Sequence, residues 1–150
     1  MRIISKIILL LLLQGTLISQ NKRDYNWIMS NNTLPAEGVE SVLFNFNLKP
    51  FTIVPFQGTI DHGSNNSIIS DAEGNLLFYT NGCAIANREH QMMPEGDSIN
   101  AGEFFDIVWQ GDCRFGYPGT QDIMALPDPY FDQGYYLISK PRIYLSLIHI

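Results

Sequence analysis

The sequence predicts an all-β body behind an N-terminal export signal, and three observations carry that prediction. Eight prolines and twelve glycines are spread so evenly through the 150 residues that few stretches could hold three helical turns. Between them lie short apolar or alternating runs of strand length, bounded by turn residues. One unit occurs twice: a strand, an Asp-led turn closed by Gly, and an aromatic strand, with the marker residues at Asp71 and Asp128.

The first element is the leader, residues 1–19. Arg2 and Lys6 form a short basic start, residues 7–13 are unbroken Ile and Leu, and Gln14, Gly15 and Thr16 close the run. Basic, apolar and small-residue regions in that order define a signal peptide, with cleavage expected between Ser19 and Gln20. The apolar run is far shorter than the ~20 residues needed to cross roughly 30 Å of hydrocarbon. No Cys stands near the cut, which disfavours a lipoprotein signal. The mature chain is therefore expected to have no membrane span and to be secreted or held on the outer cell surface.

Removing Arg2 and Lys6 from the nine basic residues leaves seven against fifteen acidic ones, a net charge of −8 beyond the leader. So acidic a surface repels phosphate backbones and anionic lipid, which excludes nucleic acid as a partner. No cofactor is expected.

The strands follow in order. Residues 39–47 alternate, with Val42, Phe44 and Phe46 on one face and Ser41, Leu43 and Asn45 on the other. Residues 51–56 form a second strand, confined by Pro55 to an edge or an end, and 58–66 read as a loop. Residues 67–70 and 76–80 are strands joined by a tight turn over 71–75, where Gly74 supplies a positive φ. Asn81-Gly82 is a hairpin signal leading to a strand over 83–87, and 91–93 could begin a fourth strand. Residues 96–119, rich in Gly, Asp and aromatics, read as a long loop. The pattern restarts with strands over 122–126 and 135–139 around a turn that begins at Pro127. Meanders of this size are those of propeller blades, so residues 20–144 are expected to be an incomplete β-propeller-like module of two to three blades.

One passage resembles a known group. Ile69-Ser70-Asp71-Ala72-Glu73-Gly74-Asn75-Leu76-Leu77-Phe78-Tyr79-Thr80-Asn81-Gly82, then Ile85-Ala86-Asn87 and His90-Gln91-Met92-Met93-Pro94, is similar to the N-terminal propeller-like region of secreted type IX secretion and gliding-motility-associated bacterial proteins. The opening residues Gln20-Asn21-Lys22-Arg23-Asp24-Tyr25-Asn26-Trp27 also fit, although Ala86 stands where that group usually has Trp. The resemblance implies a large secreted or surface protein and says little of activity.

The tail, residues 145–150, has a different signature. Leu145-Ser146-Leu147-Ile148-His149-Ile150 matches the in-frame translation of a sequencing-library adapter, so it is read as non-native, with the natural chain expected to continue past Tyr144. The alternative is a real apolar strand.

Candidate chemistry is sparse. Cys83 and Cys113, an even pair in an exported chain, are expected to form one disulfide. Asp71 and Glu73 resemble half of a calcium loop, but Leu76 and Leu77 follow at once, so the turn reading is preferred and no metal is expected. Asp61-His62 and Glu89-His90 pair imidazole with carboxylate without zinc spacing, and both histidines read as turn or surface residues. No Gly-x-Ser-x-Gly elbow is present, and catalytic residues are none. Aromatics crowd the long loop, and Trp109, Phe115 and Tyr117 are the candidate binding residues, for carbohydrate or a cell-surface protein; packing between blades is the competing role. The expected function is a non-enzymatic binding or structural module. The alternatives are part of a propeller hydrolase or lyase acting on polysaccharide, with its catalytic residues elsewhere, and a β-sandwich adhesin domain.

Overall fold

A computed structural model describes residues 21–30, 39–62, 65–107, 110–113, 116–117, 119–131, 133–140 and 146–149. The leader and its cleavage point at Ser19 and Gln20 lie outside the described residues, as do Trp109 and Phe115. The chain is all-β: nine strands in three small antiparallel sheets and a single short helix among the described residues.

The first sheet is β1 (Asn26–Ser30), β2 (Val39–Asn45) and β3 (Thr52–Gly58) in that order. The second is β4 (Ser67–Ser70), β5 (Leu76–Thr80) and β6 (Ile85–Asn87). Helix α1 (Glu103–Ile107) precedes the third sheet, β7 (Ile123–Pro127), β8 (Tyr135–Ser139) and β9 (Ser146–His149). Each sheet is a plain meander of consecutive antiparallel strands.

Register in the first sheet sets Trp27 opposite Phe44 and Phe44 opposite Ile53, while Ile28, Leu43 and Val54 line up on the other face. Pro55 sits on the edge strand β3, where a missing N–H costs no ladder bond. Beyond β2, Phe46 packs edge-on to Trp27 at 5.1 Å and stacks on Phe51 at 5.4 Å.

The second sheet contains a bulge between Ile69 and Ser70, where Ile69 pairs with Phe78 but Ser70 pairs with Leu76. The extra residue, Leu77, reverses the side-chain parity along β5. Leu76 and Tyr79 consequently share one face and Phe78 points to the other, and all three are buried. A strand buried on both faces needs an apolar run, which is what 76–79 supplies.

Two cores result. In one, Ile28, Leu43 and Phe56 of the first sheet meet Leu76, Tyr79 and Ala86 of the second, with Ile60, Phe105 and the two cysteines. In the other, Ile69, Phe78 and Ile85 meet Ile123, Ala125, Tyr135 and Leu137 of the third sheet. Burial of one such Ile, Leu or Phe side chain stabilises by roughly 1.5–3 kcal/mol. The second sheet is thus sandwiched between the other two. Strand β1 lies beside β4, and β4 lies beside β7, so the first strands of the three meanders are neighbours.

The repeated unit has a shared local chemistry. Asp71 Oδ1 accepts from the Glu73 and Asn75 N–H groups at 2.9 and 2.8 Å, and Asp128 Oδ1 accepts from Tyr130 N–H at 2.7 Å. Each Asp thus closes the turn between the first and second strands of its meander. Gly74 has φ +90°, as the turn requires, and a Cβ there would sit 3.0 Å from Asn47 Cγ.

Several expectations need correction. Asn81-Gly82 is not a two-residue hairpin: Thr80 pairs with Ile85, leaving a four-residue loop, and the third strand begins at Ile85 rather than Cys83. The Asn81 side chain is the reason, because its Oδ1 accepts from both Cys83 and Ala84 N–H at 3.0 and 2.9 Å and holds the wider loop open. The fourth strand at 91–93 reduces to one bridge between Ala86 and Met92. His90 and Glu95, with φ of 63° and 56°, bend the chain away on either side. Strand β1 and helix α1 were not anticipated. Residues 146–149, set aside as a tail, pair along β8, with Leu147 opposite Ile138. Such pairing is open to any extended segment and bears on register, not on the segment's origin.

Candidate functional site at the seam of the first two sheets

Where β1 and β4 run side by side, a cleft of about 410 Å³ opens, lined by Asp24, Asn26, Trp27, Ile28, Met29, Asn66, Ser67 and Ile68. That volume falls in the range of small-molecule sites. Its position follows from the topology: both strands are edge strands of their sheets, so no ladder closes the space between them.

Four of the lining side chains, Asn26, Trp27, Asn66 and Ser67, are held by hydrogen bonds. Asn26 is buried and its Nδ2 donates to Ser70 Oγ and to the Gly74 carbonyl, both at 2.8 Å, which ties β1 to the Asp71 turn. Its Oδ1 has no partner among the described residues. Asn66 donates to the His62 carbonyl at 3.2 Å, and Ser67 Oγ accepts from Ala125 N–H at 2.9 Å, leaving the Ser67 proton to donate. Trp27 is 59% exposed, and its Nε1 donates to the Asp24 carbonyl at 3.2 Å. The cleft thus offers a carboxylate, amides, a hydroxyl and a fixed indole.

Beneath the first sheet lies a buried polar cluster. His62 is 1% exposed, and neither ring nitrogen has a partner among the described residues. Its ring lies 4.7 Å from that of Tyr79, whose hydroxyl is 3.2 Å from His90 Nδ1, and His90 stacks on Phe56 at 3.6 Å. Ser30 Oγ donates to Asp61 Oδ1 at 2.6 Å and accepts from His62 N–H at 2.7 Å. Burial drives the His62 pKa down to about 4 against the attraction of Asp61, and the nearby His90 adds to the fall. Burial likewise lowers His90 and pushes the Tyr79 hydroxyl up. The expectation that both histidines are turn or surface residues fails for His62, which the β3–β4 connection folds under the first sheet. The triad-like set Ser30, Asp61 and His62 has the hydroxyl bound to the carboxylate rather than to the imidazole, so the serine–histidine contact of a catalytic triad is not made.

The other sequence candidates fall elsewhere. Tyr117 is half-buried, packs on the first core and donates its hydroxyl to the Asn100 carbonyl. Cys83 and Cys113 are both buried and stand at disulfide distance, Cα to Cα 5.2 Å, which pins the long loop to the second sheet. Asp71 is spent on its own turn: burial opposes ionisation, but hydrogen bonds from the Asn75 side chain and from backbone N–H groups hold its carboxyl below the usual range. Glu73 is exposed, and its carbonyl accepts from Asn47 Nδ2 at 2.9 Å. No group of three or more His, Cys, Asp or Glu able to hold a metal occurs among the described residues. Among those residues no helix is long and apolar enough to cross a membrane.

Sequence reasoning missed the cleft because it missed β1. The signal was available in Asn26-Trp27-Ile28-Met29-Ser30, a strand-length run in which Ile28 turns in and Trp27 and Met29 turn out. No family model, curated protein or solved structure matches the chain.

Proposed function

We propose that the chain is a non-enzymatic binding or structural module of a secreted or cell-surface protein, its meanders standing as successive propeller-type blades. The observation that carries this reading is the neighbouring of β1, β4 and β7, the first strand of each meander, with the polar cleft between the first two. Radial repetition of meanders leaves only short protected edges, the arrangement toward which such neighbouring points.

The ligand class that best suits the cleft is a neutral saccharide. An indole face packs on sugar C–H groups, while the Asp24 carboxylate, the Asn66 amide and the Ser67 hydroxyl answer ring hydroxyls. The acidic charge of the mature chain disfavours polyanions. The leader supports export, and the resemblance of residues 69–94 to type IX secretion and gliding-motility-associated proteins supports a surface role.

Titration of the exported chain with neutral hexasaccharides of glucose, mannose and N-acetylglucosamine, followed by tryptophan fluorescence, tests the proposal. At least one should bind, and Trp27→Ala should weaken it about tenfold, equivalent to ~1.4 kcal/mol. Saccharide binding that survives Trp27→Ala unchanged, or no binding to any of the three, sinks this assignment.

A further inference from the structure

Asn81-Gly82 is the one Asn-Gly pair in the sequence, and such a pair carries chemistry of its own. Glycine puts no side chain in the way when its backbone nitrogen turns on the preceding carboxamide. The nitrogen bonds Cγ and gives up its proton to solvent, and the Cγ–Nδ2 bond breaks with loss of ammonia. Water then opens the resulting five-membered imide at either carbonyl. One opening yields aspartate, the other isoaspartate, with the main chain rerouted through Cβ. Water is the only co-reactant. Gly82 sits at φ +87°, a conformation the loop requires of it, so the reactive pair is built into the turn.

In the folded chain every participant is engaged. The Gly82 N–H donates to Thr80 Oγ1 at 3.0 Å, which occupies the nucleophile. Asn81 Nδ2, the leaving group, donates to the Cys113 carbonyl at 2.9 Å. Oδ1 accepts from the Cys83 and Ala84 N–H groups and so fixes the plane of the carboxamide. Asn81 and Thr80 are both buried, which keeps from the pair the water that the second step consumes. One of these contacts reaches a carbonyl 32 residues away, so the lock holds only while the long loop is seated on the second sheet.

We infer that Asn81-Gly82 is a site of self-modification held shut by the fold: molecules whose β5–β6 loop opens convert Asn81, and converted molecules cannot close the loop again. The one-way character follows from the products. Aspartate sets a carboxylate, at a position 1% exposed, against the Cys113 carbonyl to which Nδ2 now donates. Isoaspartate lengthens the main chain by one carbon and draws into it the carbonyl that caps Cys83 and Ala84. The cleft and its ligand take no part in this inference.

Peptide mass mapping of the exported chain, held in mildly alkaline buffer with and without strong urea, tests it. Asn81 should convert readily in urea and at least about tenfold more slowly in buffer, because only opened molecules react. Chain converted in urea and returned to buffer should lack the near-ultraviolet dichroism that chain returned at once regains. Thr80→Val, which frees the Gly82 N–H, should convert several-fold faster in buffer than the parent. Equal rates in buffer and urea overturn the inference, as does an Asn81 that survives urea intact. A converted chain that refolds to the parent spectrum overturns it too. An unchanged rate in Thr80→Val counts against the lock in the same way; should that variant lose its fold, the parent's two rates decide.

Discussion

His62 is the residue whose environment most constrains behaviour. Its folded pKa of about 4 lies below the ordinary value of 6.5, so the fold holds the neutral ring. A group depressed in this way leaves stability intact above about pH 6.5. It removes stability as pH falls toward about 4, where the unfolded chain binds a proton that the folded chain refuses. The full span is on the order of 3 kcal/mol, and His90, lowered by the same burial, acts in the same direction. Urea unfolding should show the midpoint falling across that window in the native chain and falling much less in His62→Phe. An equally steep loss in the variant would assign the acid sensitivity to other groups. Nothing in Asp61-His62 as a dipeptide foretold this. Adjacent residues on an extended chain point opposite ways, and only the course of the β3–β4 connection puts the imidazole beneath the first sheet against Tyr79.

At the scale of the element, the loop between β5 and β6 depends on one side chain. Asn81 is buried, receives two backbone N–H groups, and donates from Nδ2 to the Cys113 carbonyl at 2.9 Å, so it joins the hairpin to the long loop. Asn81→Ala strands several buried polar groups and should cost about 2–4 kcal/mol, read as a lower urea midpoint. A loss below ~1 kcal/mol would mean that the loop closes without its cap. The cysteine pair stands at disulfide distance at the base of the same loop, 30 residues apart in sequence. Closing a loop of that length stabilises by roughly 3–4 kcal/mol in the chain-entropy description. A thermal midpoint that does not move on adding reductant counts against a formed bridge. The strands at 39–45, 67–70, 76–80, 123–127 and 135–139 were legible because short apolar runs, alternating or continuous, between turn formers leave few other conformations. The hairpin length was not legible, since Asn-Gly permits a tight turn and the capping contacts that widen it come from the surrounding structure.

At the scale of the whole molecule, the leader and the cleft make separate claims. Expression in a Gram-negative host should yield a secreted or periplasmic chain whose mass corresponds to a start at Gln20. Retention of residues 1–19 would overturn the export reading. The cleft at β1 and β4 predicts saccharide binding, a measurement that can fail independently of export.

What the sequence determined by itself is local: most strand positions, the two Asp turns, the positive φ at Gly74, the edge character of Pro55 and the acidity of the chain. Each follows from steric preference, side-chain periodicity or charge, none of which needs a distant partner. The tertiary structure alone decided which faces meet. Stacking of the sheets turned the apolar run at 76–79 into a strand buried on both sides, carried His62 into the interior, and packed half-buried Tyr117 against the first core. The same stacking left Trp27 at the seam with β4 and Met29, Ile53 and Met124 uncovered. Alternation specifies that a strand has two faces, but contacts across sequence separations of many residues choose what each face touches.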